Sequence, residues 1–187
     1  MSLLFESLSQ YPIIAEVNQT RGFESALDSI CQNIFLMQSN IFTIKDLSVK
    51  VKNNHKNLFI FVDSMEGYMK NSWGLEFVLK NIALDGIISS HPNILKQSKE
   101  MGVFSLGYYP IYNELSIENA LNEIKEIRPH GIIVLPGILT DTISLFSKEI
   151  DIPIITSGLM SSPILIKNSL KAGAIGACTD NFYIIDI

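Results

Sequence analysis

The side chains that could do chemistry here are few, and they cluster where apolar runs give way to short polar groups. Asp63 closes the run LFIFV at 58–62, which holds no polar residue. A carboxylate carried there on a buried strand is costly unless something holds it. A ligand hydroxyl, a cation or loop amides would serve. Two readings follow: a ligand-facing acceptor, or a cap for the SMEG turn after it. Glu16 ends another run. With Asp63 it could form a carboxylate pair for a metal or for acid–base work. Spacing alone does not require that, and a single carboxylate on a pocket rim is the plainer reading.

Glycines give a second signal. Gly137 in LPGI and Gly158 in TSGLM each follow an apolar run. A backbone that must approach a ligand needs the side chain out of the way. A helix starting near Ser161 would aim free amides at the same place, which suits a phosphate. The expected phosphate seat is therefore the amides of residues 158–161 and 179–181. Glycine as a tight-turn residue is the competing reading, and Gly176, inside a run, reads as a packing position.

Other reactive types read more plainly. His91 follows a run and reads as a polar loop residue, while His55 and His130 precede runs. Tyr108, Tyr109 and Tyr112 form an aromatic group that suits stacking or interface packing. Cys31 and Cys178 have no metal-ligand spacing and read as reduced core thiols. No metal and no cofactor is expected.

These residues need a frame that brings run ends together. Eight short apolar runs, at 12–17, 34–37, 58–62, 86–89, 103–106, 131–135, 153–156 and 174–178, alternate with seven segments of helical period. That is the rhythm of βα units around a parallel sheet. The expected fold is a compact TIM-like (β/α)8 barrel, one domain over residues 1–187. An open six-stranded doubly wound sheet is the alternative if two runs are misread. The expected helices carry Phe23, Ala26, Leu27 and Ile30 on one side and Ile41, Ile44, Leu47 and Val51 roughly on one face, and Trp73, Phe77, Val78 and Ile82 mark a third. Pro92 opens one helix, Ser116 caps another, Thr140 or Asp141 a third, and Ser161 or Ser162 a fourth, which Gly173 ends. In a barrel, ligand groups gather after the C-terminal strand ends. The candidates there are Glu16, Asp63, Ser89, Pro136, Gly137, Ser157, Gly158, Thr179 and Asp180, with Asn18, Gln38 and Ser39 nearby.

Composition narrows the function. Apolar residues make up 47% and charged residues 18%, which excludes a disordered chain. No apolar run reaches transmembrane length. The opening MSLLFESLSQYP lacks a basic segment and does not read as a secretory signal, so a cytoplasmic location is expected. A net charge of −5, with Arg21 and Arg128 the two arginines, gives a poor footing for nucleic acid. The local basic run Lys50, Lys52, His55 and Lys56, with Lys70 beyond it, is a candidate RNA-facing patch or simply a solvated turn. The dinucleotide fingerprint and the Walker phosphate loop are both absent.

The segments FVDSMEG, GIISS, IIVLPGI, IPIITSGL and KAGAIGACT, in that order, resemble the glycerol-3-phosphate-responsive antiterminator family. The resemblance runs from Pro12 to about Asn181. It implies a TIM-like barrel that binds glycerol-3-phosphate and then leader RNA of bacterial glycerol operons, preventing early termination. It places the family's strand-end aspartate on Asp63, its loop glycine on Gly67, its serine on Ser89 and its Pro-Gly pair on Pro136 and Gly137. Its GGL falls on Ser157 and Gly158, and its closing Thr-Ser on Thr179 and Asp180. Three positions that carry arginine in the family hold His91, Tyr108 and Ser161. The implied partners are a small phosphorylated polyol and leader mRNA; a homodimer is one way for so acidic a chain to assemble an RNA surface, and no membrane contact and no catalytic residue is expected. A phosphate-binding barrel enzyme (an isomerase, lyase or synthase) and a divergent non-catalytic binding protein are the alternatives.

Overall fold

The computed structural model describes residues 3–18 and 22–181. The elements, in chain order, are α1 (Leu3–Gln10), β1 (Ile13–Val17), α2 (Phe23–Asp28), β2 (Asn33–Leu36), β3 (Ser39–Asn40) and α3 (Ile44–Asn53). Then come β4 (Asn57–Phe61), a 3-10 turn (Val62–Ser64), β5 (Met65–Glu66), α4 (Ser72–Asn81), β6 (Gly86–Ser89) and α5 (Pro92–Glu100). The chain continues through β7 (Ser105–Pro110), α6 (Glu114–Ile127), β8 (Gly131–Leu135), α7 (Thr140–Glu149), β9 (Ile154–Thr156), α8 (Pro163–Lys171) and β10 (Gly176–Thr179). Eight strands close in the order β1-β10-β9-β8-β7-β6-β4-β2. All pair in parallel, so this is the expected (β/α)8 barrel rather than an open sheet. The short β3 and β5 pair separately beside the mouth.

Period-two alternation decides what fills the barrel. Ile14, Phe35, Phe59, Ile88, Leu106, Ile133, Ile155 and Cys178, one from each barrel strand, form a buried inner cluster. Leu4 and Leu8 of α1 join this cluster and plug its N-terminal end. Gly176 leaves room for Leu8, whose Cδ2 would lie 3.0 Å from an added Cβ. The opposite strand faces, such as Ile13, Ala15 and Val17, pack under the helices. Two residues beyond the inner cluster, the same parity delivers Glu16, Met37, Phe61, Tyr108, Ser157 and Asp180 to the mouth.

Several local expectations are corrected. Helix α1 precedes the first strand, where no element was expected. The run 58–62 is a strand only to Phe61, because Val62 enters the 3-10 turn. Strand β7 runs from Ser105 to Pro110, so Tyr108 and Tyr109 lie within it. Helix α6 is capped by Asn113, and Ser116 is its third residue in a reciprocal capping box. Leu139, not Thr140 or Asp141, holds the cap position of α7. Ser162 holds that of α8, and Gly173 (φ +116°) ends the helix as expected. Ile30, Trp73 and Phe77 are exposed; α4 turns Gly74, Leu75 and Val78 inward instead.

Candidate functional site

At the C-terminal end of the barrel a cavity of about 150 Å³ opens between the ends of β1, β9 and β10. It is lined by Glu16, Asn18, Gly158, Leu159, Met160, Cys178, Thr179 and Asp180. Ser157 Oγ donates to Glu16 Oε2 at 2.5 Å, and Asn18 Nδ2 donates to Oε1 at 3.4 Å. Burial pushes the Glu16 carboxyl above the ordinary glutamate range. The Ser157 and Asn18 hydrogen bonds pull it down and the nearby Asp180 charge pushes it up. Among the described residues the lining includes no lysine or arginine, and its charged side chains are Glu16 and Asp180.

The loops after β8 and β9 form the rear wall. Gly137 N–H donates to Ser157 O at 2.6 Å and to Gly158 O at 3.1 Å, tying the two loops together. A Cβ on Gly137 would lie 2.6 Å from Met160 Sδ and 3.0 Å from Thr156 Cβ, so this glycine is required by close packing. Gly158 has φ +77° and Leu159 φ +62°, which turns the chain back toward α8. Pro136 packs against Gly158. The Ser162 side chain does not cap α8, which leaves the first-turn amides of that helix without a side-chain partner from this residue. Thr179 is buried, and its Oγ1 accepts from Asn181 N at 3.1 Å.

Asp63 belongs to the other side of the mouth. Ser89 Oγ donates to its Oδ1 at 2.6 Å, and Ser90 N and Oγ donate to its Oδ2 at 2.6 and 2.7 Å. His91 N in turn donates to Ser89 Oγ at 3.0 Å. The carboxylate therefore ties the end of β4 to the turn that starts α5, a loop cap on a different loop from the SMEG turn. Glu16 and Asp63 keep separate partners. Among the described residues no group of three or more His, Cys, Asp or Glu side chains could hold a metal ion.

Where the resembled family carries arginines, His91 and Ser161 are exposed. Tyr108 turns inward against Phe61, with ring centroids 4.7 Å apart. Burial, with the Glu16 charge beside it, pushes the Tyr108 hydroxyl up to about 12. Burial also raises the Cys178 thiol well above its usual range, so it stays protonated on the cavity floor. Tyr109 turns outward, and its hydroxyl donates to Glu123 Oε1 at 3.1 Å.

Of the expected ligand set, Glu16, Gly158, Thr179 and Asp180 line the cavity, with Ser157, Pro136 and Gly137 supporting it. Asp63 and Ser89 do not line it. Leu159, Met160 and Cys178 were not anticipated; strand parity points to Cys178, whereas Leu159 and Met160 depend on the left-handed turn. The four lysines do not converge at the mouth. Lys56 is buried at the opposite end, donating to Ser29 O at 2.5 Å and Cys31 O at 2.7 Å, which corrects its place in an RNA-facing patch. Lys50 pairs with Glu24 at 2.9 Å, and Lys52 pairs with Asp85. Lys70 is exposed on the segment before α4.

Comparisons with known proteins agree with this fold. The family described as "Glycerol-3-phosphate responsive antiterminator" matches residues 13–184. A protein of Escherichia coli (strain K12) described as uncharacterized protein YgcP is 31% identical over 178 residues, covering 95% of this chain and 93% of that one. The crystal structure of a glycerol uptake operon antiterminator regulatory protein from Listeria monocytogenes superposes with TM-score 0.91 at 21% identity, covering 98% and 97% of the two chains. A glycerol uptake operon antiterminator-related protein from Thermotoga maritima superposes with TM-score 0.82 at 21% identity, covering 92% and 96%. At these identities the two structures show a shared fold. Among the described residues no helix is long and apolar enough to cross a membrane.

Proposed function

Because the chain belongs to the glycerol-3-phosphate responsive antiterminator family, we propose that it reads glycerol-3-phosphate at the barrel mouth and, so loaded, engages leader RNA to prevent early transcription termination. It acts in the cytoplasm as a regulator, not as an enzyme. The observation that carries this reading is the cavity between β1, β9 and β10. Its volume of about 150 Å³ is well below the ~300–1,000 Å³ of drug-sized sites and suits a small metabolite. Glu16 and Asn18 are placed to meet the polyol hydroxyls, the former as an acceptor. Gly158 and the amides leading into α8, with those of residues 179–181, are the proposed phosphate seat. Ser157, Pro136, Gly137 and Thr179 hold these loops in place, while Asp63 and Ser89 brace the far rim.

Glu16 beside the bound phosphate makes binding depend on pH. A phosphate beside Glu16 favours its protonated form, and burial already pushes that carboxyl upward. Ligand uptake is therefore coupled to proton uptake, with affinity rising as pH falls. For RNA, the acidic chain calls for a surface completed by ligand binding. A gel-shift titration of leader RNA with and without glycerol-3-phosphate tests this. The expected result is ligand-dependent binding that weakens with salt, at a log–log slope of about −0.7 per phosphate contacted on a single strand. Binding that ignores both ligand and salt contradicts it.

A further inference from the structure

Helix α4 opens with a surface that its own barrel does not use. Trp73 is 71% exposed and Phe77, one turn on, 47% exposed; Met69 is 58% and Phe42 85% exposed. Ile41, Tyr68, Met69, Trp73 and Phe77 enclose an apolar groove of about 220 Å³, and Phe42 follows Ile41 in the chain. The groove is built rather than frayed. A Cβ on Gly67 would lie 2.8 Å from Ile41 Cδ1, and one on Gly74 would lie 1.9 Å from Met69 O, so both glycines let the β5–α4 segment close down on Ile41. Tyr68 Oη is buried there without a hydrogen-bond partner.

We propose that this face is the contact between two copies of the chain in a symmetric homodimer. Area supports this. The exposed parts of Phe42, Met69, Trp73 and Phe77 amount to roughly 400–650 Å², taking about 150–250 Å² per large side chain. That is about half or more of the ~800 Å² per partner of a standard interface, before any rim is counted. It matches or exceeds the largest apolar patch of a typical monomer, about 300–600 Å², and such patches are often functional. Charge supports it too. Glu66 and Lys70 are exposed on either side of the groove-lining segment Gly67–Met69, and neither makes an ion pair among the described residues. In a two-fold contact residue i of one copy meets j of the other and j meets i. Glu66 of one copy then faces Lys70 of its partner twice. Nucleic acid fits the face less well, because exposed Glu66 shares the groove segment with Lys70 and the chain carries −5.

Trp73 is the one tryptophan in the sequence, so its emission reads this surface directly. The full chain, without ligand or RNA, is sedimented over about 1–300 µM while Trp73 emission is recorded. The expected result is a concentration-dependent dimer with a blue shift that tracks it. Phe42→Glu and Lys70→Glu each weaken the dimer roughly tenfold or more, and Lys70→Glu with Glu66→Lys recovers it. Because these side chains are exposed, the variants keep the parent melting temperature. A monomer throughout the range overturns the proposal. So does a dimer that Phe42→Glu leaves intact or that the charge swap fails to recover. A monomer whose Trp73 emission is quenched by single-stranded RNA also overturns it and makes the face a base-stacking surface. These readouts do not involve the mouth, so they succeed or fail apart from ligand binding there.

Discussion

Replacing Asp63 by asparagine should destabilise the barrel and leave ligand affinity nearly unchanged. The carboxylate accepts from Ser89 Oγ, Ser90 N and Ser90 Oγ at 2.6–2.7 Å. Asparagine keeps the shape but offers one acceptor oxygen and a donor amide. If the oxygen keeps the two Ser90 donors, the amide faces Ser89 Oγ. That hydroxyl is fully buried and already accepts from His91 N, so it must rotate and lose its own acceptor. Charge-assisted hydrogen bonds contribute about 1.5–3 kcal/mol, which puts the loss near 2 kcal/mol. For a chain of this size that lowers Tm by roughly 4–8 °C, measured by circular dichroism. Glycerol-3-phosphate affinity by calorimetry should change less than about twofold, since Asp63 does not line the cavity. An unchanged Tm together with an affinity loss of about tenfold, or 1.4 kcal/mol, would refute the loop-cap reasoning.

Glu16→Gln is expected to stabilise the free protein at neutral pH. The folded carboxyl is held above its unfolded value by burial, so its contribution to stability is fully present below the ordinary glutamate value of about 4.3 and is lost as pH rises through the folded pKa. The gain from Gln should therefore fade toward pH 4 in a series of chemical denaturations; a pH-independent difference would contradict it. The same variant should lose the proton uptake on ligand binding, read by calorimetry in buffers of different ionisation enthalpy. Lys56→Ala leaves the Ser29 and Cys31 carbonyls without their ammonium, so stability should fall by roughly 1–3 kcal/mol while RNA affinity holds. Weakened RNA binding in a protein of unchanged Tm would return Lys56 to the surface.

The barrel was legible because its strands are covered on both faces, and LFIFV or GIIVL can sit nowhere else. Helix faces were harder to read. Trp73 and Phe77 look like core residues by type, but α4 packs through a narrow stripe of Gly74, Leu75 and Val78, which leaves the large rings outside. The α6 cap was misassigned because Ser116 is a good capping residue that here occupies the third position of a box begun by Asn113. The position of Asp63 was readable, but not its partners, which come from the Ser89–Ser90 turn after β6. Lys56 lay in a charged run that reads as solvated, yet carbonyls from the loop before β2 take up its charge. Glu16 and Gly158 were found by strand-end logic. The rest of the cavity depends on a left-handed turn at residues 158–159, and only a glycine at the first of these positions announces it.

The central claim is that glycerol-3-phosphate binds between β1, β9 and β10. Calorimetric titration of the protein with glycerol-3-phosphate, with glycerol and inorganic phosphate as separate titrants, tests it most directly. The account predicts saturable one-site binding that exceeds either fragment, takes up a proton, and is weakened by Gly158→Ala, where φ +77° strains any side chain. No binding up to millimolar glycerol-3-phosphate, or equal binding by the Gly158→Ala protein, would contradict it.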